Sequence, residues 1–258
     1  MSSAAATRGE RVTAALTAAF ACLGPALEHG WLRHEGGFVA GLTGAPAAAM
    51  NGVFGAGPDA DPALVDALLD EIAASGVPHC LEIRPGSQRL EQLAARRGMT
   101  LTQDVPLMEL VDLDAVGTRP EPEGLSWHPV ATGELDGYVR LVAEGFGAPE
   151  ELFACLVTPR TLALPGLYCV VGRVGGKAVT TAMAITIGEA TGIFNVATPE
   201  DFRRRGYASA ATAQCVRVGR DAGARWAFLQ ASAQGFAAYG RLGFETVERW
   251  MTFVSPGS

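Results

Sequence analysis

The sequence predicts an α+β fold in which two halves of the chain follow the same order of strands and helices. Each half carries a β-branched and aromatic run after a turn, then a helical segment that ends in glycine, a short strand and a second helix. A polar stretch between the halves, "DLDAVGTRPEPEG", has two prolines and two glycines and no apolar period, which is typical of a linker. With 258 residues, the chain has room for two domains that each bury a core.

The first half begins with a predicted amphipathic helix. Apolar residues recur at three- and four-residue spacing from Val12 to Leu27, which favours a helix over the secretory signal that "RVTAALTAAFACLG" superficially resembles. The strand "NGVFGAG" follows, then a helix that ends before Gly76, the strand "HCLEI" and a helix that ends at "ARRGM". Two closing strands are expected after that helix.

The second half repeats this plan after one or two helices in "GELDGYVRLVAEGFGAPEELFACLV" and a hairpin in "LYCVVGRVGGKAVTTAMAIT". The strand "TGIFNVA", a helix up to Gly223, the strand "WAFLQ", a helix that ends at "GRLGF" and again two closing strands are expected. We therefore predict domains at residues 1–114 and 125–258, joined by a linker at 115–124. Two unrelated α/β domains are the alternative interpretation.

The composition argues against several classes of function. A net charge of −7 disfavours nucleic acid as a partner, because binding to phosphates draws on a basic surface. No apolar run approaches the ~18 residues that a membrane span needs. Four histidines without an HxxxH pair give little support to a metal site. Five scattered cysteines without CxxC spacing predict reduced thiols in a cytoplasmic protein.

The stretch "EDFRRRGYASA", Glu200 to Ala210, stands between a predicted strand and a predicted helix. A helix N-terminus has unsatisfied N–H groups and a partial positive charge, so it favours anions. Gly206 would let the backbone approach a ligand, and small residues follow it. The alternative is a solvated basic turn capped by Glu200 and Asp201, and the stretch alone does not decide between the two. The P-loop and GxGxxG patterns are absent.

Residues Arg203 to Ala208 match the pattern [Q/R]xxGx[G/A] and resemble the pyrophosphate-binding motif of the GNAT superfamily of acyl-CoA-dependent N-acyltransferases. "NVATPEDF" is similar to that family's fourth strand and loop, and "LQASAQGFAAYGRLGFETV" to its fifth strand and last helix. The resemblance implies two tandem GNAT-like domains, each with a mixed, mostly antiparallel twisted sheet flanked by helices. It also implies acetyl-CoA, or another acyl-CoA, as cosubstrate, a primary amine on a small molecule or protein as acceptor, and no metal.

The resemblance also assigns roles to residues of the second half. Tyr239 would be the general acid that protonates the departing thiolate, and the N–H of Val196, at a bulge in the fourth strand, would hold the oxyanion. Asn195 would position a water, while the general base is unassigned, with Glu189 and Glu144 as candidates beside transfer of the proton to solvent. The residues expected to bind the cofactor are Val196, Ala197, Arg203, Arg204, Arg205, Gly206, Tyr207, Ala208, Ser209 and Ser232.

The first half lacks these features. Its corresponding loop, "GAGPDADP", has no arginine and carries two aspartates that would repel a pyrophosphate, and Ala94 stands where the second half has Tyr239. We therefore predict a degenerate copy that packs on the catalytic half as a pseudo-dimer partner and shapes the acceptor site, near Phe146, Gly147 and Phe153. The chain would be a monomer or a homodimer. A non-catalytic acyl-CoA sensor and a purely structural tandem domain are the alternative functions.

Overall fold

A computed structural model describes residues 6–118 and 120–256 of the chain. The helices are α1 Arg8–Ala21, α2 Pro62–Ala73, α3 Gln88–Arg96, α4 Leu135–Phe146, α5 Glu151–Ala154, α6 Pro159–Leu162, α7 Tyr207–Asp221 and α8 Phe236–Arg241. The strands are β1 Trp31–Glu35, β2 Phe38–Leu42, β3 Gly52–Ala56, β4 Cys80–Ile83, β5 Thr100–Leu110, β6 Leu125–Pro129, β7 Leu167–Val174, β8 Lys177–Ile187, β9 Ala190–Ala197, β10 Trp226–Gln230 and β11 Glu245–Val254. All of these strands join one sheet in the order β1-β2-β3-β4-β11-β5-β10-β9-β8-β7-β6.

The two halves exchange their last strands. β5, from the first half, pairs antiparallel with β10 of the second half, and β11, from the second half, pairs antiparallel with β4 of the first half. β5 and β11 also pair with each other along nearly their whole length. The predicted α+β class is confirmed, with the sheets of the two halves joined into one. The domain boundaries stay a prediction, because each half's sheet is completed by a strand of the other.

The expectation of two closing strands in each half is wrong, since each half closes with one long strand. In β5 no turn interrupts the pairing with β11. Pro106 lies in the middle of this strand, where it has no N–H to donate, and its carbonyl accepts a hydrogen bond from the N–H of Ala231 at 2.8 Å. The proline therefore fits a continuous strand at the place where the chain leaves β10.

The predicted N-terminal helix is present as α1, and it lies across both halves. Thr7 caps it by accepting a hydrogen bond from the N–H of Glu10 at 3.2 Å. Phe20, near its end, contacts Phe54 of β3 and Phe194 of β9, with ring centroids 5.8 Å and 6.0 Å apart. At its start, Arg8 and Arg11 both bind the buried carboxylate of Glu109 on β5. The helix is therefore fixed to the seam where the halves meet.

The remaining helices cover the sheet from both sides. α4 packs on the same face as α1, while α2, α3, α7 and α8 cover the opposite face. Where α7 crosses β9, Gly219 lies directly against the Thr191 side chain, since a Cβ at this position would be 2.5 Å from it. Across residues 6–118 and 120–256, no helix has both the length and the apolar character to cross a membrane.

We expect the paired variant Arg8→Met with Arg11→Met to lower the free energy of unfolding by about 3 kcal/mol. The reason is that it leaves the buried Glu109 carboxylate without a cation. Urea denaturation measures the change. Arg249→Met is the control, because Arg249 forms a half-exposed ion pair with Asp104 and its loss is expected to cost at most ~1 kcal/mol. An equal effect of the two variants would contradict the structural role assigned to the Glu109 cluster.

Candidate active site

The bulge expected at Val196 is present on β9. Thr181 of β8 pairs with Ala197 and Met183 pairs with Phe194, so a single residue of β8 lies opposite both Asn195 and Val196. Asn195 has a φ of 49°, in the left-handed region that asparagine tolerates better than most residues. Such a bulge turns backbone groups out of the ladder, where they are available to a ligand.

Two buried threonines of β8 hold the bulge in place. The Thr181 hydroxyl donates to the carbonyl of Asn195 at 2.9 Å, and the Thr180 hydroxyl donates to the carbonyl of Ala197 at 3.0 Å. Sequence analysis did not single out these threonines. The available signal was a pair of hydroxyl residues in the apolar run "AVTTAMAIT", because buried hydroxyls need partners.

β9 and β10 separate next to the bulge. They pair in parallel only from Ala190 to Gly192 of β9, opposite Trp226 to Phe228 of β10. Beyond Phe228, the other edge of β10 stays paired with β5 while β9 turns into the bulge. The strands therefore leave an opening between Asn195 to Ala197 on one side and Gln230 on the other.

The arginine run forms an open cradle of backbone donors at the start of α7. Arg204 and Gly206 both have left-handed backbone, with φ of 63° and 83°. Among the described residues, no acceptor binds the N–H groups from Arg204 to Ser209, and the first bond of the helix runs from Ala210 N–H to the Gly206 carbonyl at 3.0 Å. Left-handed residues that lead into a helix N-terminus form a concave anion site. The geometry favours the anion-binding interpretation over a solvated basic turn.

The three arginines have different environments. Arg203 donates from Nε to the Thr198 carbonyl at 3.1 Å and from its terminal nitrogen to the Gly145 carbonyl at 3.0 Å. Its guanidinium thus connects the end of α4 to the residue after β9, so its side chain is a positioning group here. Arg204 is exposed, and Arg205 lies 6.0 Å from the Phe202 ring. The guanidinium groups of Arg204 and Arg205 therefore remain available to an anion at the cradle.

Tyr239 lies on the short helix α8 with its ring edge toward Phe244, at 6.1 Å between centroids. Gly235 allows the ring to lie against the backbone, since a Cβ there would be 2.7 Å from it. Burial raises the pKa of Tyr239 to about 12, and its hydroxyl has no hydrogen-bond partner among the described residues. The phenol is therefore protonated at neutral pH and free to donate. Ser232 is exposed, and its hydroxyl accepts from the Gly235 N–H at 3.2 Å, so it caps the turn into α8.

The two carboxylates considered as bases are both exposed. Glu189 is exposed at the amino end of β9, six residues before Asn195, a distance of roughly 20 Å along an extended strand. It forms an ion pair with Arg225 at 3.1 Å. Glu144 is exposed on α4. Within the part of the chain that is described, no group of three or more His, Cys, Asp or Glu residues is suited to hold a metal ion.

A cavity of about 350 Å³ continues from the cradle along α7. Its lining includes Ser209, Arg217 on α7 and Arg241 at the end of α8, together with Glu121 from the predicted linker. The Glu121 carboxylate accepts hydrogen bonds from Arg217 and from the indole nitrogen of Trp127, the latter at 3.2 Å. Sequence analysis missed both arginines, because they are distant from the motif in sequence and carry no pattern of their own.

The corresponding position in the first half is closed. α2 begins with Pro62, which has no N–H, and the Asp61 side chain accepts from the Ala63 N–H at 3.0 Å. At the start of α2 one N–H group is therefore absent and another is bound by the acidic cap, whereas the N–H groups at the start of α7 are unbonded. This difference supports the prediction that only the second half binds an anion.

We expect Arg203→Met to lower the free energy of unfolding by about 2 kcal/mol, because it removes two charge-assisted hydrogen bonds to half-buried carbonyls. Arg205→Met is the control, since the contact of Arg205 with Phe202 is worth at most ~1 kcal/mol. Chemical denaturation of both variants measures the difference. Equal stability of the two would show that Arg203 does not anchor this loop.

Comparison with known proteins agrees with this geometry. The model of the Acetyltransferase (GNAT) family matches residues 127–244. A GCN5-related N-acetyltransferase from Kribbella flavida has a similar structure, with a TM-score of 0.67 and 21% identity over 98% of each chain. A conserved protein of unknown function from Staphylococcus epidermidis superposes with a TM-score of 0.62 and 14% identity over 84% of this chain and 90% of that one.

A tandem GNAT protein from the clavulanic acid biosynthesis pathway is also similar, with a TM-score of 0.57 and 15% identity over 88% of this chain and 82% of that one. No curated protein matches the sequence. The identities are low, so these structures establish the fold alone. The chain therefore has the fold of GCN5-related N-acetyltransferases and of a tandem GNAT protein, and its residues 127–244 match the model of the Acetyltransferase (GNAT) family.

Proposed function

We propose that the second half of the chain transfers an acetyl group from acetyl-CoA to a primary amine of an acceptor by direct attack on the thioester. The observation that carries the proposal is the cradle of unbonded N–H groups from Arg204 to Ser209, which stands next to the opening between β9 and β10. One site binds a pyrophosphate and the other admits an extended thioester arm. Together they fit acyl-CoA better than a smaller anion.

The cofactor would follow this path from end to end. Its pyrophosphate accepts hydrogen bonds from the cradle, with Arg204 and Arg205 as countercharge. The rest of the nucleotide enters the cavity beside α7, which is lined by Arg241 and by Arg217 in its ion pair with Glu121. The pantetheine arm crosses the opening along the backbone of Val196 and Ala197, whose position is fixed by Thr180 and Thr181.

The chemistry then takes place at the bulge. The amine attacks the thioester carbon, and the N–H of Val196 stabilises the oxyanion that forms. Tyr239 gives its proton to the departing thiolate. Because its pKa is raised, the phenol stays protonated across the neutral range. Asn195, in its left-handed conformation, positions a water or the acceptor beside the thioester. The first half does not bind the cofactor. It packs on the second half as the partner of an intramolecular pseudo-dimer and forms one wall of the acceptor site.

A non-catalytic acyl-CoA sensor is the second candidate, and one observation favours it. β9 carries no carboxylate toward the opening, so the strand itself supplies no base. In an assay of CoA release over a panel of primary amines, turnover supports the enzyme. Tight binding of acetyl-CoA with no turnover for any amine supports the sensor.

We expect Gly206→Val to weaken acetyl-CoA binding at least tenfold, because a β-branched residue does not adopt a φ of 83° without strain and the cradle would rearrange. Calorimetry measures the Kd. Gly223→Val is a matched control at the other end of α7, since Gly223 also has a left-handed φ, of 100°, but lies away from the cradle. A similar loss of affinity in both variants would mean that the cradle is not the binding site.

We expect Tyr239→Phe to lower kcat by ~10²-fold, the scale of general acid catalysis, with the Kd for acetyl-CoA unchanged. Because burial raises the pKa of Tyr239 to about 12, the acid stays protonated as the pH rises, so kcat should show no basic limb from Tyr239 up to pH ~10. CoA thiol release between pH 6 and 10 checks both statements. Tyr168→Phe, a half-buried tyrosine on β7 that packs against the same cluster, should leave kcat unchanged. A basic limb that disappears in Tyr239→Phe would contradict the raised pKa.

A further inference from the structure

Glu82 on β4 is a buried carboxylate without a cation. Only Glu82 and Glu109 are buried among the carboxylates of the described residues, at 7% and 1% exposure. Glu109 is neutralised by Arg8 and Arg11. Glu82 instead accepts hydrogen bonds from two neutral groups, the Thr252 hydroxyl at 3.2 Å and the Gln230 side-chain amide at 3.3 Å. A buried carboxylate in this state is costly, and such groups concentrate at functional sites.

The contacts of Glu82 connect it, through the Gln230 side chain, with one edge of the opening between β9 and β10. Gln230 is the last residue of β10, at the edge of the opening, and the Glu82 carboxylate is in direct contact with its amide. On the other side, Glu82 lies next to Phe54 in the pairing of β4 with β3. Glu82 therefore comes from the first half of the chain and reaches the site of the second half through the seam.

A series of aromatic contacts connects Glu82 with the bulge. From Phe54 the series continues to Phe20 of α1 at 5.8 Å and to Phe194 of β9 at 6.0 Å, and Phe194 immediately precedes Asn195. Phe194 also contacts Phe228, which lies two residues before Gln230 on the same face of β10, at 6.2 Å. These rings form a continuous aromatic wall on the face that carries α1, from the neighbour of Glu82 on β3 to the residues of β9 and β10 where the opening begins.

The electrostatic surroundings suit a base. Burial raises the pKa of Glu82, and the hydrogen bonds from Gln230 and Thr252 oppose that shift. The other ionisable groups that face this region are paired or neutral: Arg84 binds Glu248, Arg8 and Arg11 bind Glu109, and burial together with the charge of Glu82 raises the pKa of the Cys80 thiol. An ammonium group that entered here would be the nearest countercharge for Glu82, and a base with a raised pKa accepts its proton more readily.

We propose that Glu82 accepts the proton of the acceptor's ammonium group, so that the first half of the chain supplies the base for acetyl transfer. This inference rests on the proposed function. One proton passes from the ammonium to Glu82 and then to solvent, and the neutral nitrogen forms the C–N bond. As the C–S bond breaks, Tyr239 protonates the thiolate and recovers a proton from the nitrogen, which leaves an amide and free CoA. The aromatic wall selects a primary amine carried on an apolar group.

The test compares Glu82→Gln, which keeps the shape of the side chain, with Glu109→Gln, the matched change at the other buried carboxylate. We expect Glu82→Gln to lower kcat by ~10²- to 10⁴-fold with the Kd for acetyl-CoA unchanged. It should also remove the rise of kcat with pH that an ionising base produces. Glu82→Asp should recover part of kcat and part of its rise with pH. Glu109→Gln should lower the free energy of unfolding and leave the rise of kcat with pH in place. A Glu82→Gln variant with wild-type kcat and pH profile would overturn the proposal.

A second measurement does not depend on turnover. In protein labelled at the glutamate carboxyl carbons, the NMR signal lost in Glu82→Gln reports the titration of Glu82. With 2-phenylethylamine as the probe, we expect this titration to move to lower pH, because the ammonium stabilises the carboxylate. 2-Phenylethanol is the control and should leave it in place. If no amine releases CoA, the proposed function fails, and a Glu82 titration that the amine does not move overturns this inference separately.

Discussion

The antiparallel pairing of β5 with β11 is the interaction on which the rest of the structure depends. These strands close the two halves of the chain, yet each completes the sheet of the other half, so their ladder joins all eleven strands of the described chain. The same strands bring side chains across the seam. β5 presents Glu109 to the arginines of α1, and β11 places Thr252 beside Glu82 of β4. Neither half can separate without losing strand pairing and opening these contacts.

The starts of α2 and α7 differ in whether their backbone donors are satisfied. At the start of α2, Pro62 and Asp61 satisfy or remove the free donors, which stabilises the helix and closes it to ligands. At the start of α7 the donors are left free and the preceding backbone has left-handed residues, which is costly in the absence of an anion. Arg203 offsets part of this cost by fixing the loop to two carbonyls. The loop before α7 is thus strained locally and is held in place by the hydrogen bonds of Arg203.

Local patterns in the sequence predicted much of this structure. Apolar periodicity and glycine caps were sufficient for α1, α7 and the strand that becomes β9, and the residues around Gly206 indicated a helix N-terminus without deciding between an anion site and a solvated turn. The exchange of β5 and β11 was beyond such reasoning, because the alternation within a strand is the same whichever neighbour it pairs with. The partners of Arg203 were missed for a similar reason. A motif identifies a charged residue, but the fold decides which carbonyls lie within its reach.

The proposed base shows the same limit, since its sequence position gives no sign of the residues that it contacts. β9 has Asn195 at the bulge and no carboxylate, and the two candidates considered from the sequence, Glu189 and Glu144, are exposed. The proposed base, Glu82, is separated from its partner Gln230 by 148 residues and lies in the first half of the chain. β4 thus supplies a buried carboxylate that β9 lacks, and the exchanged strands β5 and β11, which lie between β4 and β10, hold Gln230 within reach of it.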